Sequence, residues 1–176
     1  MWLRIAHGQP GGSPYAPGLV ALGIDPDAIL LAELPDCTAL LIAAVESLRQ
    51  GQTGAVVIEM HGQAPQLNLT HSRRLVLAAE RSKVMALIVR SGAKPASSAA
   101  HSRWEVASAP STPLAANAPG HPVFDLRLLR QRGGRDGLHV QLEWNRERSV
   151  FHTPLSGGAS AVSASGTADR QQSRAA

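Results

Sequence analysis

The chain has 176 residues, 44% of them hydrophobic and 17% charged, with a net charge of +4, which leaves room for one domain with a real core. No apolar run approaches the roughly 18 residues of a membrane span, and the start Met1-Trp2-Leu3-Arg4-Ile5 lacks the layout of a secretory signal, so membrane and secreted classes are set aside. The single thiol, Cys37, cannot close an intrachain disulfide and fits a reducing, cytoplasmic compartment.

Trp2 to Ala6 reads as a first strand, followed by a Gly- and Pro-rich loop from His7 to Pro17 that lacks the Gly-x-x-x-x-Gly-Lys-Ser/Thr phosphate loop. A short helix is predicted from Tyr15 to Leu22, a turn at Asp25-Pro26-Asp27 and a second strand from Ala28 to Leu34. Asp36 opens a helix whose Leu40, Leu41, Ala44, Val45 and Leu48 recur at helical spacing, and Gly51 stops it. The stretch from Gly54 to Arg90 organises the rest. Its two apolar runs, Ala55 to Ile58 and Met85 to Val89, flank a helix capped by Asn68 or Thr70, the pattern of a parallel β-α-β unit with strands buried on both faces. Glu59 is predicted to close the first of these strands at its carboxyl edge, where α/β sheets place ligands; strands also end this way merely to meet solvent.

Beyond Arg90 the pattern changes. Arg103 to Ser108 alternates, with Trp104 and Val106 on one face. Val123 to Arg130 and Leu138 to Trp144 form a hairpin around a Gly-rich turn, and Val150-Phe151 adds a last short strand. The predicted architecture is α/β, a parallel β/α half continued by an antiparallel β-hairpin region in the same sheet. It occupies residues 1–154, and the Ser-, Gly- and Ala-rich segment 155–176 is predicted to be disordered.

Basic residues are concentrated between Thr70 and Lys94, where Arg73, Arg74, Arg81, Lys83, Arg90 and Lys94 face the single acid Glu80. Such an excess suits phosphate or an acidic protein, although it also describes an ordinary solvated helix face in an Arg-rich chain. Aromatic residues, 3% of the chain, are too few to interleave with it as stacking platforms. Arg73, Arg74, Arg81 and Lys83 are the candidates for partner or DNA contact. His7 and His61 each follow a strand, but no histidine pair has helical ligand spacing, so no metal site is predicted.

Three words of sequence carry a family resemblance: LNLTHSRRLVLAAERSKVMALIVR, SRWEVASAPS and FDLRLLRQRGGRDGLHVQLEWN, joined by YAPGLVALGIDPDAILLAEL near the start. From about Met1 to Trp144 the chain resembles ImuA, a family of RecA-like proteins found beside ImuB and an error-prone replicative-type polymerase in bacterial damage-response cassettes. The resemblance implies a partial RecA-like fold without the N-terminal phosphate-loop region, either as a short form or because the start is assigned late. It places Glu59 where such proteins carry a magnesium-side aspartate, and Ala6-His7-Gly8 where they carry a catalytic glutamate. The implied function is a non-catalytic, cofactor-free accessory role in SOS-induced damage tolerance. The implied partners are an ImuB-type protein, with RecA, an error-prone polymerase or single-stranded DNA as further candidates. A RecA-like ATPase and a damage-induced inhibitor of cell division are the alternatives.

Overall fold

A computed structural model describes residues 1–6, 11–134 and 137–154. The predicted disorder of 155–176, the placement of His7 and part of the hairpin turn lie outside these residues. In chain order the elements are β1 (Trp2–Ile5), α1 (Ala16–Ala21), a 3-10 turn (Pro26–Ala28), β2 (Leu31–Leu34), α2 (Cys37–Gln50), β3 (Ala55–His61), α3 (Leu69–Ser82) and β4 (Met85–Ser91). After them come β5 (Ser102–Ala109), a second 3-10 turn (Ala115–Asn117), β6 (Val123–Gln131), β7 (His139–Asn145) and β8 (Val150–His152).

The first half is a parallel sheet in the order β2-β1-β3-β4. Its long helices begin where side chains satisfy free backbone donors. The Asp36 carboxylate accepts from the Ala39 N–H at 2.8 Å and the Asn68 carbonyl oxygen from the His71 N–H at 3.1 Å, each worth about 1 kcal/mol. Gly51 ends α2 with φ of 67°, a conformation that favours glycine. Both helices pack on one face of the sheet. Leu40, Leu41, Ala44 and Leu48 of α2 and Leu75 and Ala78 of α3 close over Leu3, Val56, Ile58 and Met60. Burying a side chain of this size stabilises by roughly 1.5–3 kcal/mol, so this layer holds the parallel half together.

Three expectations for the parallel half need correction. The strand predicted from Ala28 is shorter, because the Asp25 carboxylate accepts from the Asp27 N–H and winds Pro26–Ala28 into a 3-10 turn before β2 begins at Leu31. The strand at Ala55 is longer, because Met60 and His61 pair with Arg90 and Ser91 of β4, so Glu59 lies inside the strand and not at its end. Strand β4 is not buried on both faces: Met85, Leu87 and Val89, on the side away from the helices, are 59, 46 and 48% exposed.

The second half is an antiparallel sheet in the order β5-β6-β7-β8. The α/β class with a parallel half followed by an antiparallel half is therefore present, but in two hydrogen-bonded sheets, not one. The physical reason lies in the linker after β4. The Ala99 N–H donates to the Ser72 hydroxyl at 3.0 Å, drawing the linker onto α3. Strands β4 and β5 then flank a groove of about 680 Å³ lined by Ala86, Ile88, Trp104 and Val106 among others. Arginines of the second sheet fasten the same linker: Arg103 donates to the Ala96 carbonyl and to the Ser98 hydroxyl at 2.9 Å, Arg130 to the Ser98 carbonyl at 2.8 Å and Arg132 to the Ala99 carbonyl at 3.0 Å.

Within the antiparallel sheet Trp144 is buried and packs against Phe151 with ring centres 4.8 Å apart and planes tilted by 59°, while its indole N–H donates to the Ala21 carbonyl at 3.0 Å, tying α1 to β7. The opposite face is polar. Asp125 there accepts from His139 at 2.7 Å and Gln141 at 3.2 Å and lies 3.3 Å from Arg127.

Candidate partner-binding face

Helix α3 is amphipathic. Ser72, Leu75 and Ala78 recur every third residue on the buried side, and Arg73, Arg74, Leu77, Glu80 and Arg81 fall on the exposed side. Arg74 and Arg81 are seven residues apart, two turns of one line, with Leu77 between them at 45% exposure. No ion pair is recorded for Arg73, Arg74, Arg81 or Lys83 among the described residues. Four exposed cations against the single acid Glu80, none of them in a close ion pair among the described residues, leave a local excess of positive charge.

The structure adds a residue that sequence reasoning missed. Arg49, in the last turn of α2, joins Arg74, Leu77, Ala78, Arg81 and Ser82 around a crevice of about 260 Å³ between the two helices. Arg49 is held by Glu46 at 2.7 Å. Both Arg49 and Arg81 also sit in the last turns of their helices, where a cation offsets the negative end of the helix dipole by 0.3–1 kcal/mol in typical cases. The signal was the two Gly- or turn-terminated helices, since their parallel course brings their basic last turns together. Lys83 departs from the helical line. It caps α3 in the left-handed region, φ 62° and ψ 19°, so it belongs to the turn into β4.

Glu59 is in a different place altogether. It stands on the sheet face away from α2 and α3, and its carboxylate accepts from the Trp2 indole N–H at 2.8 Å. In register it neighbours Arg4, which in turn neighbours Glu33 at 3.9 Å. The Arg4 guanidinium is buried, and its Nε and Nη1 find no hydrogen-bond partner among the described residues. A charged residue in an otherwise apolar first strand was the visible sign of this cluster. His61, at the end of β3, bonds the Ser91 hydroxyl at 3.0 Å, and its ring lies where Gly92 would otherwise carry a Cβ. No group of three potential metal-ligating side chains gathers among the described residues. No helix of the described chain is long and apolar enough to cross a membrane.

Comparison with known proteins agrees with this architecture. No family model matches the sequence. Protein ImuA of Caulobacter vibrioides, from two strains with the same figures, is 34% identical over 134 residues, 70% of this chain and 53% of the relative. The chain thus spans about half the length of the curated relatives it matches. Among solved structures, the RadB recombinase superposes with a TM-score of 0.52 at 14% identity, covering 82% of this chain and 76% of that one. SulA from Pseudomonas aeruginosa is matched at 24% identity over 52% of this chain and 71% of that one, with a TM-score of 0.41. The fold is RecA-like, and over the matched residues the chain belongs to the ImuA family.

Proposed function

We propose that this chain is a non-catalytic accessory protein of SOS-induced DNA damage tolerance, supporting error-prone translesion synthesis by binding an ImuB-type partner through the exposed face of α3. The observation that carries the reading is the arginine face itself. Arg73, Arg74 and Arg81 are exposed and without an acidic partner among the described residues, on a helix whose other side is sealed into the core. Membership of the ImuA family supplies the setting. The position of Glu59 supports the non-catalytic part of the reading, because its carboxylate is engaged by Trp2 inside the sheet and not presented at the strand end. RecA, an error-prone replicative-type polymerase and single-stranded DNA are the further partners the same face suits.

The double substitution Arg73→Glu with Arg74→Glu tests the proposal. Both side chains point to solvent, so the thermal midpoint should move by no more than a degree or two. Affinity for an ImuB-type protein, measured by calorimetry at low salt, should fall about 10- to 100-fold, as expected for two charge reversals at an electrostatically matched surface. Unchanged affinity in a folded variant would remove α3 as the contact. Unchanged damage-induced mutagenesis after deletion of the gene would remove the role as a whole.

A further inference from the structure

The crevice between the last turns of α2 and α3 combines an apolar base with three cations. Ala78 is buried and forms its floor, Leu77 beside it is 45% exposed, and Arg49, Arg74 and Arg81 line it together with Ser82. The Ser82 hydroxyl donates back to the Ala78 carbonyl at 3.0 Å and accepts from the Val84 N–H at 3.3 Å, so the side-chain donors left for a visitor are the three guanidiniums. Arg49 lies 2.7 Å from Glu46, but both side chains are more than half exposed, at 62 and 56%, and a solvated pair of this kind yields readily to a competing carboxylate. No ion pair engages Arg74 or Arg81 among the described residues.

We propose that this crevice takes a short acidic segment of a partner protein, with one large apolar side chain seated against Leu77 and Ala78 and flanking carboxylates on the guanidiniums of Arg49, Arg74 and Arg81. The inference rests on the reading of α3 as a partner-binding face and names the chemistry that face selects. Size decides first: about 260 Å³ lies below the roughly 300–1,000 Å³ of small-molecule pockets and suits a single side chain. A guanidinium is weakly hydrated and forks onto carboxylates, while its methylene stem lies along apolar surface, so arginine suits both halves of such a segment. Nucleic acid fits less well. No aromatic ring lines the crevice to stack a base. Both helices also end here, α2 at Gln50 and α3 at Ser82, so a track of phosphates laid on the floor would meet two negative helix ends. Carboxylates held at the tips of long arginines, with an apolar group between them and the floor, avoid that repulsion.

The test is fluorescence anisotropy of the full chain with a labelled dodecapeptide that carries a central leucine between two pairs of glutamates. Affinity should fall about tenfold with Arg49→Ala plus Arg81→Ala, and severalfold either with Leu77→Ser or when the peptide leucine becomes alanine. Arg146→Ala, which removes an exposed cation from the turn between β7 and β8, should leave it unchanged. Each variant is melted to show that it is folded, and Arg74→Ala replaces Arg49→Ala if the latter is not. Absence of peptide binding overturns the proposal, as does binding indifferent to Leu77→Ser and to the peptide leucine. So does an oligothymidylate that binds more tightly than the peptide and loses affinity with the same arginines, since nucleic acid would then be the occupant. Titration of an ImuB-type protein separates the two readings. Binding that responds to Arg73→Glu with Arg74→Glu but ignores Arg49→Ala and Leu77→Ser removes the crevice alone, whereas loss of every response removes the α3 face as well.

Discussion

Replacing Arg4 by methionine should stabilise the isolated chain, contrary to the usual effect of removing a buried side chain. The Arg4 residue is 3% exposed, and the side chain of its nearest carboxylate partner, Glu33, is 47% exposed at 3.9 Å. At an effective dielectric of about 20, unit charges at that separation attract by roughly 4 kcal/mol, and solvent around Glu33 reduces this to about 1 kcal/mol. Against it stand two unmet nitrogens at roughly 1–3 kcal/mol each, together with the cost of dehydrating the cation. Methionine keeps most of the volume and removes both penalties, so a gain of about 1–4 kcal/mol is expected. At this chain length that raises the midpoint by about 2–4 °C per kcal/mol. Urea denaturation and thermal circular dichroism measure it. A loss of more than about 1 kcal/mol on Arg4→Met would show that the guanidinium is well satisfied in the isolated chain and would refute this reasoning. Glu33→Gln should move stability the other way by about 1 kcal/mol, because it removes the attraction and leaves the penalties in place.

Lys83→Gly should raise stability by about 1 kcal/mol, seen as a higher urea midpoint with unchanged slope, because residue 83 holds a left-handed conformation that costs a lysine and not a glycine. The hydrogen bond from His139 is the first cause holding the Asp125 carboxyl below the ordinary value of 3.8, with Gln141 and Arg127 adding to it against some desolvation. A carboxyl depressed in the folded state contributes stability that is complete above its unfolded value and is lost as pH falls through the folded one. Asp125→Asn should therefore flatten the acid limb of the stability curve below about pH 4, as followed by denaturant titrations at each pH. Burial pushes the Cys37 thiol up, the Asp36 carboxylate adds to this and Arg90 opposes it, so alkylation at pH 7.5 should run several times slower than that of an unstructured cysteine peptide. A rate equal to the peptide's would contradict that environment.

The elements most legible in the sequence were those that local chemistry decides. Asp36 and Gly51 bound α2, and Asn68 caps α3, because a cap satisfies backbone donors within a turn of itself and needs nothing distant. The arginines of α3 were legible for the same reason, since three such charges among Leu75 and Ala78 can only point outward. Features decided by distant residues were not. The apolar run of β4 reads identically whether or not anything covers its second face. Glu59 read as a strand end because the apolar run stops at Ile58 and Gly62 and Pro65 follow, yet pairing of Met60 and His61 with Arg90 and Ser91 carries the strand past it. The division into two sheets turns on Ser72, an unremarked serine in a basic helix, whose hydroxyl accepts from Ala99 27 residues on. Arg49 entered the candidate site because α2 and α3 pack side by side, a contact no local pattern encodes.

The seam between the two sheets has a consequence of its own. Arg103, Arg130 and Arg132 grip backbone carbonyls, and the Arg103 bond to Ser98 ends on a hydroxyl, so none of these acceptors among the described residues can be neutralised by acid. The network around Asp125, a short way along the same strands, is built on a carboxylate and loses its charge on acidification. On a descending pH ramp the fabric of the antiparallel layer should loosen while the hinge that tethers it to the rest stays fastened, leaving a molecule frayed at one end but not severed.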